Sequence, residues 1–546
     1  MNDLLQPRGA DDLLKRLEQL NQIGVALSQE KDITKLLEVI LIAAKDITRA
    51  DGGTLYRMTE DKSLQFEIIR NDTLGIAMGG TTGVEIPFYP IYLFDQDGKA
   101  VNTMVVAYAV HHNQSVNIAD AYTEVGFDFT GTQNFDKKTG YRSTSFLTVP
   151  MKNHEGEIIG VLQLINSKDP AAGKVVPFSE TDQHLVESLA SQAAIALTNR
   201  LLINQLEELF ESFINLINTA IDDKSPYTGG HCQRVPVLTM MLAEVAINTD
   251  SGPLKDFALD EKQLYELKLA GLLHDCGKVT TPVHVVDKST KLQTIYDRIN
   301  LIDARFEILK RDAEIELLKA RLAARGDTGA LERAFEDRLA QLADDREFLR
   351  KCNIGGEFMT PQQQERVRAI AQYPWRNDQG QSANFLTEDE IHNLSISRGT
   401  LTNEDREVIN NHVAMTYKML NALPWPKHLK NVAEYAASHH ERLDGKGYHR
   451  GLTGDQLSMQ ARIIAIADVF EALTAKDRPY KPGKTLTESL QILGRMAQES
   501  HIDPHLFDVF MREKVYLKYA QQFLDPAQID EVDVGKIPGY VPLPGR

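Results

Sequence analysis

The sequence predicts a multidomain chain. An α+β domain, in which helices flank an antiparallel sheet, is followed by a long connector helix and an all-α domain interrupted by a helical-hairpin insertion. Three observations lead there. At 546 residues the chain is longer than one ordinary hydrophobic core holds. Its apolar residues pass from helical spacing to short β-type runs and back to helical spacing before Ile221. Most of its fifteen histidines lie at or beyond His231, where the likeliest ligand-type residues fall in compact motifs separated by helical stretches.

Composition narrows the function classes. With 42% hydrophobic and 25% charged residues the chain is globular rather than disordered. A formal charge of -17 disfavours nucleic acid and anionic membrane surfaces as partners. A small anionic substrate stays compatible with it, provided cations gather locally. Cys232, Cys276 and Cys352 form no CxxC pair, which fits a reducing compartment and points to the cytoplasm. No basic region leads into an apolar run at the start, and no apolar stretch of membrane-spanning length follows.

The first elements are two helices, marked by Leu17, Leu20, Ile23 and Leu27 and then by Ile33, Leu36, Leu37 and Ile40. From Gly53 to Asn166 come strand-like runs: GTLYRM, LQFEIIR, FLTVPM and IIGVLQLIN, the last two joined by the turn NHEGE. Ser179, with Asp182 three residues on, predicts the start of a further helix that carries Leu185, Leu189, Ala193, Leu197, Leu201, Leu206, Leu209, Phe213 and Leu216. It is assigned to residues 179 to 221. Such a helix, near 60 Å long at about 1.5 Å per residue, predicts a connector that pairs in parallel with a second copy, making a homodimer.

The order helix, antiparallel sheet, helix resembles a GAF domain. NIADAY (117 to 122), FDKKTGYRSTSFLTVPM (135 to 151) and GVLQLIN (160 to 166) carry the resemblance. It spans roughly residues 11 to 200, with the sensor domain itself at 11 to 178. It implies either a sheet-lined pocket for a small-molecule ligand, such as a cyclic nucleotide, or a purely dimerising module. The Asn-Lys and Phe-Asp-Glu signature of cyclic-nucleotide-binding members is not intact. His111, His112 and His154 are read as structural.

In the second half stand IDDKSPYTGGHCQR (221 to 234), LLHDCGK (272 to 278), INNH (409 to 412), SHHERLDGKGYH (438 to 449) and IIAIADVFEAL (463 to 473). Singly they are weak signals. Together they are not, because His274 and Asp275 end the apolar run LKLAGLL, whose burial would strand two polar side chains without partners. A divalent cation supplies such partners, and imidazole with carboxylate suits iron, manganese, zinc or nickel. The His439–His440 pair and Asp468 pose the same problem, although a buried hydrogen bond or a helix cap would also satisfy Asp468.

HD at 274 and 275 followed by GK, then HHERLDGKGY, RGL and DVFEALTAKDRPYK, resembles an HD-GYP cyclic di-GMP phosphodiesterase across residues 222 to about 510. The catalytic domain is assigned to residues 222 to 515 and a C-terminal tail to 516 to 546. Position by position, the resemblance implies two divalent transition-metal ions, iron or manganese first and zinc or nickel next. Their ligands would be His231, His274, Asp275, His412, His439, His440 and Asp468, with Asp275 bridging. It also implies that Lys278, Arg478 and Lys481 contact substrate phosphate, with Asp275 and Lys278 as the catalytic pair. Two such ions would activate a water for attack on a phosphodiester of cyclic di-GMP, giving the linear dinucleotide pGpG or continuing to GMP. A degenerate binding module, or an HD phosphohydrolase acting on another cyclic nucleotide, is the alternative. Glu441 and Asp444 would either orient histidines or tie down the DGKG turn.

Three features depart from the family pattern. His449 replaces the proline of GYP, which leaves the ligand set intact but bears on docking to a diguanylate cyclase (GGDEF) partner. Tyr227 stands where three-metal members carry glutamate, so two ions are expected. The gap from Asp275 to His412 implies an insertion at about 289 to 397, whose helical periodicity around GDTG (326 to 329) predicts an antiparallel hairpin acting as a lid or dimer contact.

Overall fold

The computed structural model describes residues 7–224, 230–324, 326–355, 358–377, 379–475 and 483–542. The chain divides into two compact units, residues 1–210 and 211–546.

In the first unit α1 (Pro7–Gln29) and α2 (Ile33–Thr48) precede the sheet. Asp32 starts α2 by accepting the N–H groups of Thr34 and Lys35, two donors a helix leaves unpaired at its first turn. The strands are β1 (Ala50–Met58), β2 (Ser63–Asn71), β3 (Ile76–Gly79), β4 (Ile91–Tyr92), β5 (Val116–Ile118), β6 (Phe146–Lys152), β7 (Ile158–Lys168) and β8 (Val175–Val176). They pair antiparallel in the order β3-β2-β1-β7-β6-β5, with β4 on β2 and β8 on β7. Between strands run α3 (Val105–His112) and α4 (Thr130–Thr139), and α5 (Glu180–Lys224) follows β8.

Alternation along the strands divides the sheet into two faces. Leu55, Ile68, Leu147, Val149, Leu162 and Leu164 pack beneath α1, α2 and the first turns of α5, whereas Tyr56, Leu64 and Val161 pack with Val106 and Ala107 of α3. Gly53 permits the close approach of β1 to α2, since a Cβ there would lie 2.8 Å from Leu41 Cδ1. The motif residue Asp136 holds the loop before β6, accepting from Ser143 N at 2.7 Å and Tyr122 Oη at 2.8 Å. His111 lies 2.8 Å from the Leu93 carbonyl and His112 stacks on Tyr108.

The expected box opens α5, with Ser179 and Asp182 bonding each other's backbone N–H groups. The helix runs 45 residues, three beyond the expected end at 221. Its middle leaves an apolar row in the open: Leu202, Leu206, Leu209, Phe213 and Leu216 are all 45% exposed or more.

The second unit is helical: α6 (His231–Ile247), α7 (Glu261–Leu273), α8 (Val283–Val286), α9 (Ile299–Ala323), α10 (Gly329–Ile354), α11 (Pro361–Ala371), the strand pair β9 (Pro374–Arg376) and β10 (Ser382–Asn384), α12 (Glu388–Leu394), α13 (Asn403–Asn421), α14 (Val432–Ala436), α15 (Met459–Thr474), α16 (Leu486–Gln498), α17 (Pro504–Arg512) and α18 (Val515–Phe523). Helices α9 and α10 form the expected hairpin, with Asp303 paired to Arg346 and Arg350.

The insertion is larger than a hairpin. Helices α11 and α12 and the strand pair join it around a core of its own, built on Ile302, Phe306, Leu342, Leu349, Ile370 and Phe385. Its two ends meet where Lys288 Nζ reaches Asn393 Oδ1 at 2.9 Å and Asp405 Oδ2, at the head of α13, at 2.7 Å.

The segment read as a tail from 516 is packed instead. Helix α18 buries Tyr519 beside Phe470 of α15, and Gln528 Nε2 donates to the Thr474 carbonyl at 2.8 Å. Aromatic side chains spaced along α18 supply enough apolar area to hold it down.

Candidate metal centre

Five pieces of chain deliver the polar side chains. His231 opens α6, and His274 with Asp275 ends α7 and leads into the tight turn Cys276–Thr280, which carries Lys278. His412 lies on α13, His439 and His440 follow α14, and Asp468 lies on α15. His231, His274, Asp275, His412, His439 and Asp468 are buried, His274 completely.

The seven side chains converge. His231, His274 and Asp275 form one group and His412, His439 and His440 a second, each with ligating atoms within 4.8 Å of one another. Asp468 Oδ1 joins the first, 3.2 Å from His231 Nε2 and 3.7 Å from His274 Nε2. Asp275 stands between the groups. Its Oδ2 is 3.2 Å from His231 Nε2 and 3.3 Å from His274 Nε2, while its Oδ1 is 3.3 Å from His412 Nε2.

Backbone carbonyls select the tautomers. Nδ1 of His274, His412 and His439 lies 2.7, 2.6 and 2.5 Å from the carbonyls of Gly271, Ile409 and Ala436. A carbonyl only accepts, so each Nδ1 carries a proton and each Nε2 faces inward, where it is the ligating nitrogen once the ring is neutral. His231 is held in the same way by the carboxylate of Glu471, which also accepts from Arg234 Nε at 2.6 Å. Asp275 Oδ1, His412 Nε2 and His439 Nε2 are buried without a hydrogen-bond partner among the described residues. Orphaned acceptors from one helix and two turns, aimed at shared space, fit a divalent cation.

Electrostatics separates the two groups. Burial opposes charge on His231 and His274, but Asp275 and Asp468 outweigh it, raising His231 well above its ordinary value and His274 to about 9. Burial prevails at the other group, holding His439 far below its usual value and His440 at about 4. Asp275 stays ionised against its burial through Lys278 and His274. Lys278 Nζ lies 2.6 Å from Asp275 Oδ2.

Several supporting residues escaped the sequence reading. Thr416, one turn past His412, accepts from Gly277 N at 2.9 Å and donates to the His274 carbonyl at 3.1 Å, clamping the His274–Asp275 turn to α13. Tyr448 stacks on His440 with ring centres 4.9 Å apart. Glu471 and Thr416 sit three and four residues beyond Asp468 and His412, so helical spacing was the available signal.

Glu441 accepts from the N–H groups of Arg450 and Leu452, and Asp444 pairs with Arg442, so both tie down the loop. His449 packs near Tyr417, outside both groups. Arg478, Lys481 and Tyr227 lie outside the described residues.

A GAF domain model matches residues 32–197 and an HD domain model residues 387–506. The chain carries a GAF domain and an HD domain. The HD match begins at α12, the last helix of the insertion, and the fold brings His231, His274, Asp275 and Lys278 from outside the matched stretch to the same site. The chain is 48% identical over 81 residues to the 3'3'-cGAMP-specific phosphodiesterase 1 of Vibrio cholerae, covering 15% of this chain and 19% of that protein. It is 36% identical over 121 residues to a cyclic di-GMP phosphodiesterase response regulator of Xanthomonas campestris, covering 22% and 31%. With the Thermotoga maritima cyclic di-GMP phosphodiesterase it shares 31% identity over 131 residues, covering 22% and 35%. The chain thus spans well under two thirds of these relatives. The GAF domain is similar to that of a Coxiella burnetii phosphoenolpyruvate-protein phosphotransferase, at 13% identity and a TM-score of 0.27, covering 35% of this chain and 98% of that one. No helix among the described residues is long and apolar enough to cross a membrane.

Proposed function

We propose that the chain is a metal-dependent phosphodiesterase of the HD-GYP kind that opens cyclic di-GMP to pGpG, with GMP as the further product. The observation that carries this is Asp275, whose two carboxylate oxygens face two separate groups of inward-pointing imidazoles. His231, His274, Asp275 and Asp468 would hold one ion and His412, His439, His440 and Asp275 the other, with iron or manganese preferred over zinc or nickel. Bound there, such ions supply an acidified water and neutralise charge on a phosphodiester.

The protein's own groups do the rest. Carbonyl-locked Nδ1 atoms fix the imidazoles, so no reorganisation accompanies reaction. The Lys278 ammonium, held by Asp275, stabilises charge on the phosphate oxygens, and Arg478 and Lys481 orient the second phosphate. Relatives named for 3'3'-cGAMP favour a second reading in which the mixed dinucleotide is the substrate.

The exposed row on α5 is proposed to pair two copies in parallel, in a cytoplasmic enzyme. The division into a sensor at 11 to 178, a connector at 179 to 221 and a catalytic domain at 222 to 515 is part of the same proposal. So are a small-molecule ligand in the GAF domain and a diguanylate cyclase partner at the Tyr448–His449 loop. The test is metal analysis together with product identification on cyclic di-GMP, 3'3'-cGAMP and cyclic AMP. Alanine at both His274 and Asp275 is expected to abolish turnover while the GAF domain stays folded. Retained turnover in that variant would refute the assignment.

A further inference from the structure

The last turn of α5 holds two of the elements that carry site residues. Asp222 Oδ2 accepts from Gly230 N at 3.0 Å, immediately before His231 begins α6. Lys224 Nζ reaches over to the tight turn after Asp275 and donates to the backbone carbonyls of Lys278, at 3.3 Å, and Val279. Ile214, Asn218 and Ile221 are buried on the same stretch of helix, so this end of α5 is docked rather than free.

The turn Cys276–Thr280 is fixed from three directions. Thr416 holds Gly277, Asp275 holds the Lys278 side chain, and Lys224 holds the backbone of Lys278 itself. The Lys278 carbonyl also accepts from Thr281 N at 3.0 Å, and the Lys224 ammonium adds a charged donor to it and to the Val279 carbonyl. Removing it takes this clamp off the Lys278–Val279 backbone and leaves the turn's own Thr281 bond, and the Lys278 side chain moves with its backbone.

We infer that Lys224 is a positioning residue, which sets where the Lys278 ammonium lies and makes the final turn of α5 the link between the connector helix and the metal centre. Lys224 touches no proposed ligand. Its influence runs through Lys278, so it acts on the rate of the chemical step and leaves metal binding alone. This rests on the phosphodiesterase reading only in giving Lys278 contact with the phosphate undergoing attack.

The test uses the full-length metal-loaded protein with Lys224→Met, Lys224→Gln and Lys224→Arg, measuring kcat and KM on the turned-over cyclic dinucleotide, metal content, and thermal unfolding. Met and Gln are both expected to lower kcat at least tenfold, with metal content and melting temperature as in the wild type. Arg, which keeps a charged donor, is expected to recover most of the loss. Unchanged kcat in a folded Met or Gln variant overturns the inference, as does loss of metal in step with loss of rate. Equal loss in the Arg variant overturns it too, because donation to the carbonyls would then be irrelevant. A wild-type protein that binds metal but hydrolyses no cyclic dinucleotide is a different result and counts against the proposed reaction.

Discussion

Glu471 accepts from His231 Nδ1 and from Arg234, so one buried carboxylate decides which imidazole nitrogen of His231 faces Asp275. Glu471→Gln can present its amide N–H to that ring and remove the preference. It is expected to weaken metal binding about 10- to 100-fold with the fold retained; titration of the metal-free protein checks this, and unchanged affinity would remove Glu471 from the role. Gly277 is constrained by space. A Cβ there would lie 2.0 Å from the His412 carbonyl oxygen and 2.5 Å from Thr416 N, both backbone atoms of α13. Gly277→Ala is expected to cost about 1–3 kcal/mol or more through overpacking, and denaturant unfolding with metal analysis would register both the loss and the displaced turn. At this scale the sequence was legible where side-chain chemistry is costly to bury, as at His274, Asp275 and the His439–His440 pair. It was silent where backbone meets backbone, as at Gly277, because close approach leaves no mark in residue type.

The insertion shows the same division among elements. Helices α9 and α10 were legible because long helices repeat their apolar period often enough to be read. Helix α11, helix α12 and the strand pair between them are short and polar, and what holds them is the shared core around Ile370 and Phe385. Asp303 ties the hairpin together, and its acidity can be tested. Burial pushes its pKa up, but Arg350 and Arg346 more than offset this, so the folded value lies below the ordinary one. The contribution of such a carboxylate is present above the unfolded pKa, about 3.9, and is lost as pH falls through the folded value. Asp345, held by Arg366 and Tyr373, shifts in the same direction. The stability of the insertion is therefore expected to decline below about pH 4, a window set by the unfolded carboxylate value. Asp303→Asn should be less stable at pH 7 and show a shallower acid dependence. Helical circular dichroism followed against pH would give both slopes, and identical slopes would exclude Asp303 as a source.

For the whole molecule, the order of parts could be read because hydrophobic period and motif position are local properties of the chain. How the ligand set assembles could be read only through resemblance, since nothing local shows that residues as far apart as His231 and Asp468 meet. The proposed pairing of copies rests on α5, where Leu202, Leu206, Leu209, Phe213 and Leu216 recur at alternating intervals of four and three and stand exposed. That alternation is the seam of a coiled coil, and large apolar side chains so placed favour a covered state. Charge on the seam should separate assembly from chemistry. Leu206→Glu together with Phe213→Glu is expected to convert a dimer into a monomer by light scattering while metal content is kept, because neither residue is one of the proposed ligands. If the helix also carries regulation, that monomer lacks the constraint a paired α5 would place on its last turn, and a variant lacking the first 200 residues lacks the GAF domain that would act through it, so both should turn over at a rate different from the intact protein. Equal rates in all three would mean that the metal centre works independently of what lies upstream. A dimer that persists with both glutamates present would move the pairing surface away from α5.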